Sequence, residues 1–237
     1  MPKFLNLIIN WLFPEKCLIC NCEVFEKAVF CPKCFSALTF IDRPICQFCG
    51  KMLALDIDDI TYCETCMNSK NEFDFCRSLL VYNLFSKKLI MKIKKNADRH
   101  IAKKCCSMIE MRYNLKSLQA DFIIPIPSHW TRVLKRGYNP ATIIAAELSK
   151  ILQIPMNTKI LKRTRKTEYQ KNKSIAERKE NVKNAFSCSG NVSGKVIILL
   201  DDVYTTGATL NECAKVIKSS EAKAIYCITI ATTENYS

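Results

Sequence analysis

Five consecutive aliphatic residues, 196–200, run directly into two adjacent carboxylates, Asp201 and Asp202. A short, unbroken apolar run suits a strand covered on both faces, the situation of a parallel sheet. A small, hydroxyl-rich turn follows, Thr205-Thr206-Gly207-Ala208-Thr209, and then a helical pattern through Leu210, Ala214, Val216 and Ile217. Open α/β sheets place ligands at the carboxyl ends of their strands, where this segment falls. Backbone N–H groups and hydroxyls at a helix start bind phosphate. Neighbouring carboxylates accept hydrogen bonds from a sugar diol. The segment therefore predicts a phosphosugar site.

The rest of the chain divides sharply. Residues 1–76 carry a net charge of −3, whereas residues 77–237 carry +17. A field of that sign attracts polyanions, so nucleic acid is a candidate partner alongside a phosphorylated small molecule. Ten of the fifteen cysteines lie in the first 76 residues, eight of them in four Cys-x-x-Cys pairs: Cys17/Cys20, Cys31/Cys34, Cys46/Cys49 and Cys63/Cys66. Two such pairs on opposed knuckles give a tetrahedral thiolate shell, and the bound metal supplies folding energy that so small a core lacks. Two structural Zn²⁺ ions are expected, with sequential pairing the default and interleaving open. Cys22 is a spare able to substitute for Cys20.

A disulfide framework would need an oxidising compartment. The apolar run at residues 4–13 argues against export, because it contains Asn6 and Asn10 and offers no small-residue cleavage site. It is also too short to span a bilayer. Residues 1–16 read instead as a short amphipathic helix, residues 17–72 as the Cys-rich domain and residues 73–237 as an α/β domain. A cytoplasmic location is expected.

In that second part, residues 76–82, 122–126 and 225–231 read as strands, and residues 87–113 and 141–152 as helical regions. Strands separated by helices predict a parallel sheet with helices on both faces. Arg132, Lys135 and Arg136 follow the strand at 122–126, where guanidinium forks can take a pyrophosphate. Residues 161–186 hold nine Lys and Arg against three Glu and lack a sustained apolar period. This segment reads as a mobile excursion, with Arg163, Arg165, Lys166, Gln170 and Arg178 able to contact phosphates or a nucleic-acid backbone.

The string of residues 196–209 resembles the phosphoribosyl pyrophosphate (PRPP) signature of type I phosphoribosyltransferases. Taken with the cysteine pairs, the chain resembles ComF-family competence proteins over nearly its whole length. The family's P-x-P…R…RG-[FY]-N block is matched at Pro125, Pro127, Arg132, Arg136, Gly137, Tyr138 and Asn139. A second block is matched at Arg163, Arg165, Thr167, Gln170, Glu177, Arg178, Asn181, Ala185 and Phe186. The departures are Pro140, Lys173 and Ala97, where Gln, Leu and Gly are usual.

The resemblance implies that Asp201 and Asp202 hold ribose hydroxyls and that Thr205, Thr206, Gly207, Ala208 and Thr209 hold the 5-phosphate. Arg132 and Arg136, with Lys94 and Arg163, would take up charge on the departing pyrophosphate, and Mg²⁺ would arrive with PRPP. No N-terminal-cysteine glutaminase is expected, because position 2 is Pro. Three readings stay open: a DNA-uptake protein binding PRPP and single-stranded DNA, an active phosphoribosyltransferase on a small nucleophile, and a non-catalytic adaptor for a competence helicase or another uptake-machinery protein.

Overall fold

The structure is a computed structural model that describes residues 15–24, 28–53, 62–69, 71–165 and 175–233. The helix expected over residues 1–16 falls almost wholly outside these, as do Lys166, Thr167, Gln170 and Lys173. The Cys-rich part contributes two short helices, α1 (Pro32–Ser36) and α2 (Glu64–Met67). There follow β1 (Phe75–Val81), α3 (Leu84–Asn96), α4 (Arg99–Tyr113), β2 (Phe122–Pro125), α5 (Trp130–Arg136) and α6 (Pro140–Leu152). The chain continues through β3 (Leu161–Arg163), α7 (Ile175–Val182), β4 (Phe186–Cys188), β5 (Val196–Tyr204), α8 (Ala208–Lys218) and β6 (Ala224–Thr232).

β1, β6, β5 and β2 form one sheet in that order, parallel throughout. Side chains alternate across it, as period two requires. Ile198 and Leu200 join the core beneath α3, α4 and α6, while Ile197 and Leu199 join the core beneath α8. Burial on both faces explains the unbroken aliphatic run of β5. The expected sheet with helices on both faces and a Cys-rich N-terminal part is what forms.

The two ribbons are not a detached appendage. Leu18, Ile19 and Phe30 of the first share the α3–α4 core, whereas Cys46, Cys49 and Cys66 of the second share the α8 core. Between them, residues 39–41 run antiparallel to the outer side of β1: Ile41 N–H donates to the Leu79 carbonyl at 3.0 Å and Val81 N–H to the Thr39 carbonyl at 2.8 Å. An edge strand presents unpaired backbone groups, and this segment satisfies some of them.

Three sequence expectations are revised. The helical region at 87–113 is two helices, because Ala97 turns left-handed at φ 51° and Asp98 caps a new helix by accepting from Ile101 N–H at 3.0 Å. The strand carrying the acidic pair does not stop before it. Pairing with β6 continues through Tyr204↔Thr232, so Asp201 and Asp202 sit within β5. The excursion at 161–186 is anchored at its base by the antiparallel pair β3–β4 and carries α7.

Candidate functional site

The carboxyl end of β5 gathers charge from four parts of the chain. Asp202 Oδ1 accepts from Lys94 Nζ at 2.7 Å, an ion pair reaching from the last turn of α3. Asp201 Oδ1 accepts from the Asp202 backbone N–H at 2.8 Å. Loss of surrounding water and then the neighbouring Asp202 charge push the Asp201 carboxyl up to about 7, with Lys94 and Arg163 opposing them. Arg163, at the end of β3, lies with its guanidinium 5.1 Å from the Phe186 ring centre. Desolvation and then the nearby charge of Arg132 lower its proton affinity. Asp201, Asp202, Lys94, Arg163 and Arg132 are thus electrostatic neighbours.

The turn after β5 requires glycine. Gly207 has φ 73° and starts α8, and a Cβ there would run into the Tyr204 side chain. Gly207 itself offers no side-chain cap, and the Ala208 N–H donates to Thr206 Oγ1 at 3.4 Å. The first amides of α8, with Thr205 and Thr206 before them and Thr209 within the first turn, form an anion-favouring helix start. Residues 205–209 thus lie just past the acidic pair at the end of β5.

A second loop is tied to the end of α3 by one side chain. Gly137, at φ 83°, ends α5 and lets Tyr138 turn back toward α3. Tyr138 Oη donates to the Ile93 carbonyl at 2.9 Å and accepts from Ala97 N–H at 2.7 Å, which fixes the end of the helix that carries Lys94. Asn139 caps α6: its Oδ1 accepts from Ser128 Oγ at 2.9 Å and from Ala141 N–H at 3.2 Å, and its Nδ2 donates to the Ile126 carbonyl at 2.8 Å. Pro140 occupies the first helical turn, where a missing N–H has no cost, so this departure from the family pattern fits the turn. The tyrosine's bridging role carried no signal beyond its place in a motif.

Arg132 and Arg136 both lie on α5, with Arg132 half-buried and Arg136 exposed. Arg165 donates to the Lys183 carbonyl at 2.8 Å and to the Asn181 carbonyl at 3.4 Å, pinning the two sides of the excursion together. Arg178 falls within α7.

The ribbon cysteines assemble sequentially. Cys46, Cys49, Cys63 and Cys66 form one group whose sulfurs lie within 4.8 Å of one another; Cys17, Cys20, Cys22 and Cys31 form the other. Zn–S bonds of about 2.3 Å imply a tetrahedral S···S edge of about 3.8 Å. The Cys49–Cys63 and Cys20–Cys31 separations are both 3.7 Å, so these donors fit zinc.

The two ribbons are repeats of one plan. Cys17 N–H donates to the Cys22 carbonyl and Asn21 N–H to that of Cys17; Cys46 N–H donates to the Lys51 carbonyl and Gly50 N–H to that of Cys46. Asn21 and Gly50 share a left-handed turn, at φ 63° and 70°. Cys31 and Cys63 each start a short helix bearing the next cysteine, Cys34 or Cys66. That equivalence makes Cys34 the counterpart of Cys66, although the tight first group contains Cys22 in its place. Cys34 is buried beside Cys31, Cys20 and Cys17, and burial pushes its thiol up. Of the cysteines outside the pairs, Cys76, Cys105, Cys106, Cys213 and Cys227 are buried, as expected of core thiols.

Residues 8–67 match the double zinc ribbon domain family, and residues 97–235 match the phosphoribosyl transferase domain family. Two relatives named for competence align with this chain over almost their full length. Competence protein F of Haemophilus influenzae is 28% identical over 218 residues, 87% of this chain and 92% of the relative. Competence protein ComFC of Bacillus subtilis is 26% identical over 233 residues, 90% and 93% of the two chains. The chain belongs to the ComF family. A further relative, DNA utilization protein YhgH of Escherichia coli K12, is 34% identical over 105 residues, 44% of this ComF chain and 46% of its own length. The ComF sheet is thus of the type I phosphoribosyltransferase kind, and its ribbons hold two four-cysteine sites suited to zinc.

Proposed function

We infer that this protein acts in DNA uptake during competence and binds PRPP with Mg²⁺ at the carboxyl end of β5. The observation that carries the reading is the convergence of Asp201, Asp202 and the Lys94 ion pair beside the helix start at Gly207. The relatives named for competence and DNA utilization support the biological setting.

In this reading Asp201 and Asp202 accept the ribose 2- and 3-hydroxyls, and the amides and hydroxyls of residues 205–209 receive the 5-phosphate. Lys94 neutralises Asp202 until the diol arrives, then turns to a pyrophosphate oxygen. Arg163 lies near enough to Asp201 to join Lys94 there, with Arg132 beside Arg163 and Arg136 exposed on the same helix as Arg132. Mg²⁺, when bound, offsets pyrophosphate charge, and PRPP oxygens and water supply most of its ligands. Transfer to a small nucleophile would need an acceptor held opposite the pyrophosphate.

Single-stranded DNA is the second ligand. Trp130 is 63% exposed on α5, which also carries Arg132, Lys135 and Arg136. An exposed aromatic among cations is the combination that stacks bases and neutralises phosphates. The thiolate sites suit a reducing, cytosolic compartment.

Calorimetric titration with PRPP and with oligo-dT, each with and without Mg²⁺, tests both arms on one sample. PRPP binding should require Mg²⁺ and vanish in the Asp201→Ala/Asp202→Ala double variant. Affinity for oligo-dT should fall steeply with NaCl, in proportion to phosphates neutralised. Intact PRPP binding in the double variant overturns the pocket, and salt-insensitive or absent oligo-dT binding overturns the DNA arm.

A further inference from the structure

The second ribbon has no counterpart of Cys22, because Lys51 holds the equivalent place in its knuckle. The first ribbon therefore gathers five thiols where a tetrahedral shell takes four. Their exposure differs. Cys17, Cys31 and Cys34 are buried, whereas Cys20 and Cys22 face solvent. The Cys20 and Cys22 sulfurs lie 3.3 Å apart, inside the edge of about 3.8 Å that a zinc tetrahedron sets between its donors. Both ends of that short contact cannot be regular vertices of one shell. By the repeat, Cys20 is the ligand, equivalent to Cys49, and Cys22 is the additional thiol against it.

We propose that Cys20 and Cys22 form a thiol-oxidation site for hydroperoxides, whose reaction opens the first zinc shell and leaves the second closed. Cys22, outside the shell, meets the peroxide first. Its sulfur attacks the O–O bond and becomes a sulfenic acid as water departs from hydrogen peroxide, or the alcohol from an alkyl hydroperoxide. The Cys20 sulfur then attacks the Cys22 sulfur and expels hydroxide, which takes a proton to become water. One S–S bond forms, the two sulfurs give up two electrons, and the peroxide accepts them. Cys20 ceases to be a thiolate and leaves the metal. Cys17, Cys31 and Cys34 remain, so the zinc has one vertex open to water and chelators. The second shell has no fifth thiol, and its Cys46 and Cys49 are 0% and 2% exposed. It is the control built into the same chain.

The test uses the full-length, zinc-loaded protein treated with limiting hydrogen peroxide. Zinc release is followed with a colorimetric chelator, and cysteine pairing is mapped by mass spectrometry after alkylation. One of the two zinc ions should be released, together with a Cys20–Cys22 linkage, and dithiothreitol with added zinc should restore it. Cys22→Ser should retain both ions and slow peroxide-driven release by about tenfold or more, since the attacking thiol is gone. Release of both ions in parallel, a disulfide that excludes Cys22, or an unchanged rate in Cys22→Ser overturns the proposal. Loss of an ion from Cys22→Ser before any oxidant also overturns it, by making Cys22 the fourth ligand. If that variant does not fold, the linkage mapped in the unaltered protein decides.

Discussion

Asp201 is held in a state that a surface aspartate would not adopt. Its carboxyl is raised from 3.8 to about 7, first by lost hydration and then by Asp202. The folded protein therefore binds this proton more tightly than the unfolded chain does. Stability from this group is unimpaired below about pH 4, declines as pH rises toward 7, and stays reduced above it. Asp201→Asn should flatten that decline in urea titrations, raise stability at pH 8, and abolish PRPP binding. A variant whose pH dependence matches the unaltered protein would remove Asp201 as the source.

Ala97 shows the opposite relation between sequence and site. It occupies a left-handed turn at φ 51°, a conformation that favours glycine. A Cβ in that conformation costs about 1 kcal/mol or slightly more. Ala97→Gly should therefore stabilise the protein by roughly 0.5–1 kcal/mol, read as a higher urea midpoint at constant slope. This turn was hidden from periodicity analysis because neither Gly nor Pro marks it. The cap at Asp98 looks like any surface acid until Ile101 N–H is seen upon it.

Among elements, the β5–turn–α8 unit was legible almost in full, since burial on both faces writes an aliphatic run and the turn needs small, hydroxylated residues. Its exact strand end was not, because pairing with β6 carries β5 past Asp202 to Tyr204, and that pairing is tertiary. The excursion was illegible for another reason. β3 and β4 are three residues each, too short to show a period. Gly207→Ala tests the unit directly. The added methyl would run into the buried Tyr204 side chain in a backbone of positive φ. The turn or the Tyr204 ring must then shift, with a stability loss of about 1–3 kcal/mol and PRPP affinity weakened about tenfold or more. Unchanged affinity by calorimetry would show that the turn does not shape the phosphate seat.

For the molecule as a whole, zinc is coupled to the sheet rather than to a separate module. The first ribbon joins one core and the second joins the other, so each face of the sheet is partly closed by a metal knuckle. Chelation should lower a single calorimetric transition for the entire protein. Two resolved transitions, with the sheet's unmoved, would mean that the ribbons melt alone. Spacing along the chain reveals the four pairs, makes sequential partnership the default and marks Cys22 as a spare thiol, but only the fold shows Cys22 lying against Cys20.

The position of β1 has a consequence for biosynthesis. β1 lies at the sheet's edge, and its only strand neighbour within that sheet is β6, the last strand among the described residues. The ribbons leave the ribosome before the sheet does, yet the surface they rest on is complete only when residues 224–232 have emerged. A nascent chain halted before β6 would carry cysteine knuckles on an unfinished floor. Synthesis must pass β6 before either zinc site reaches its final surroundings.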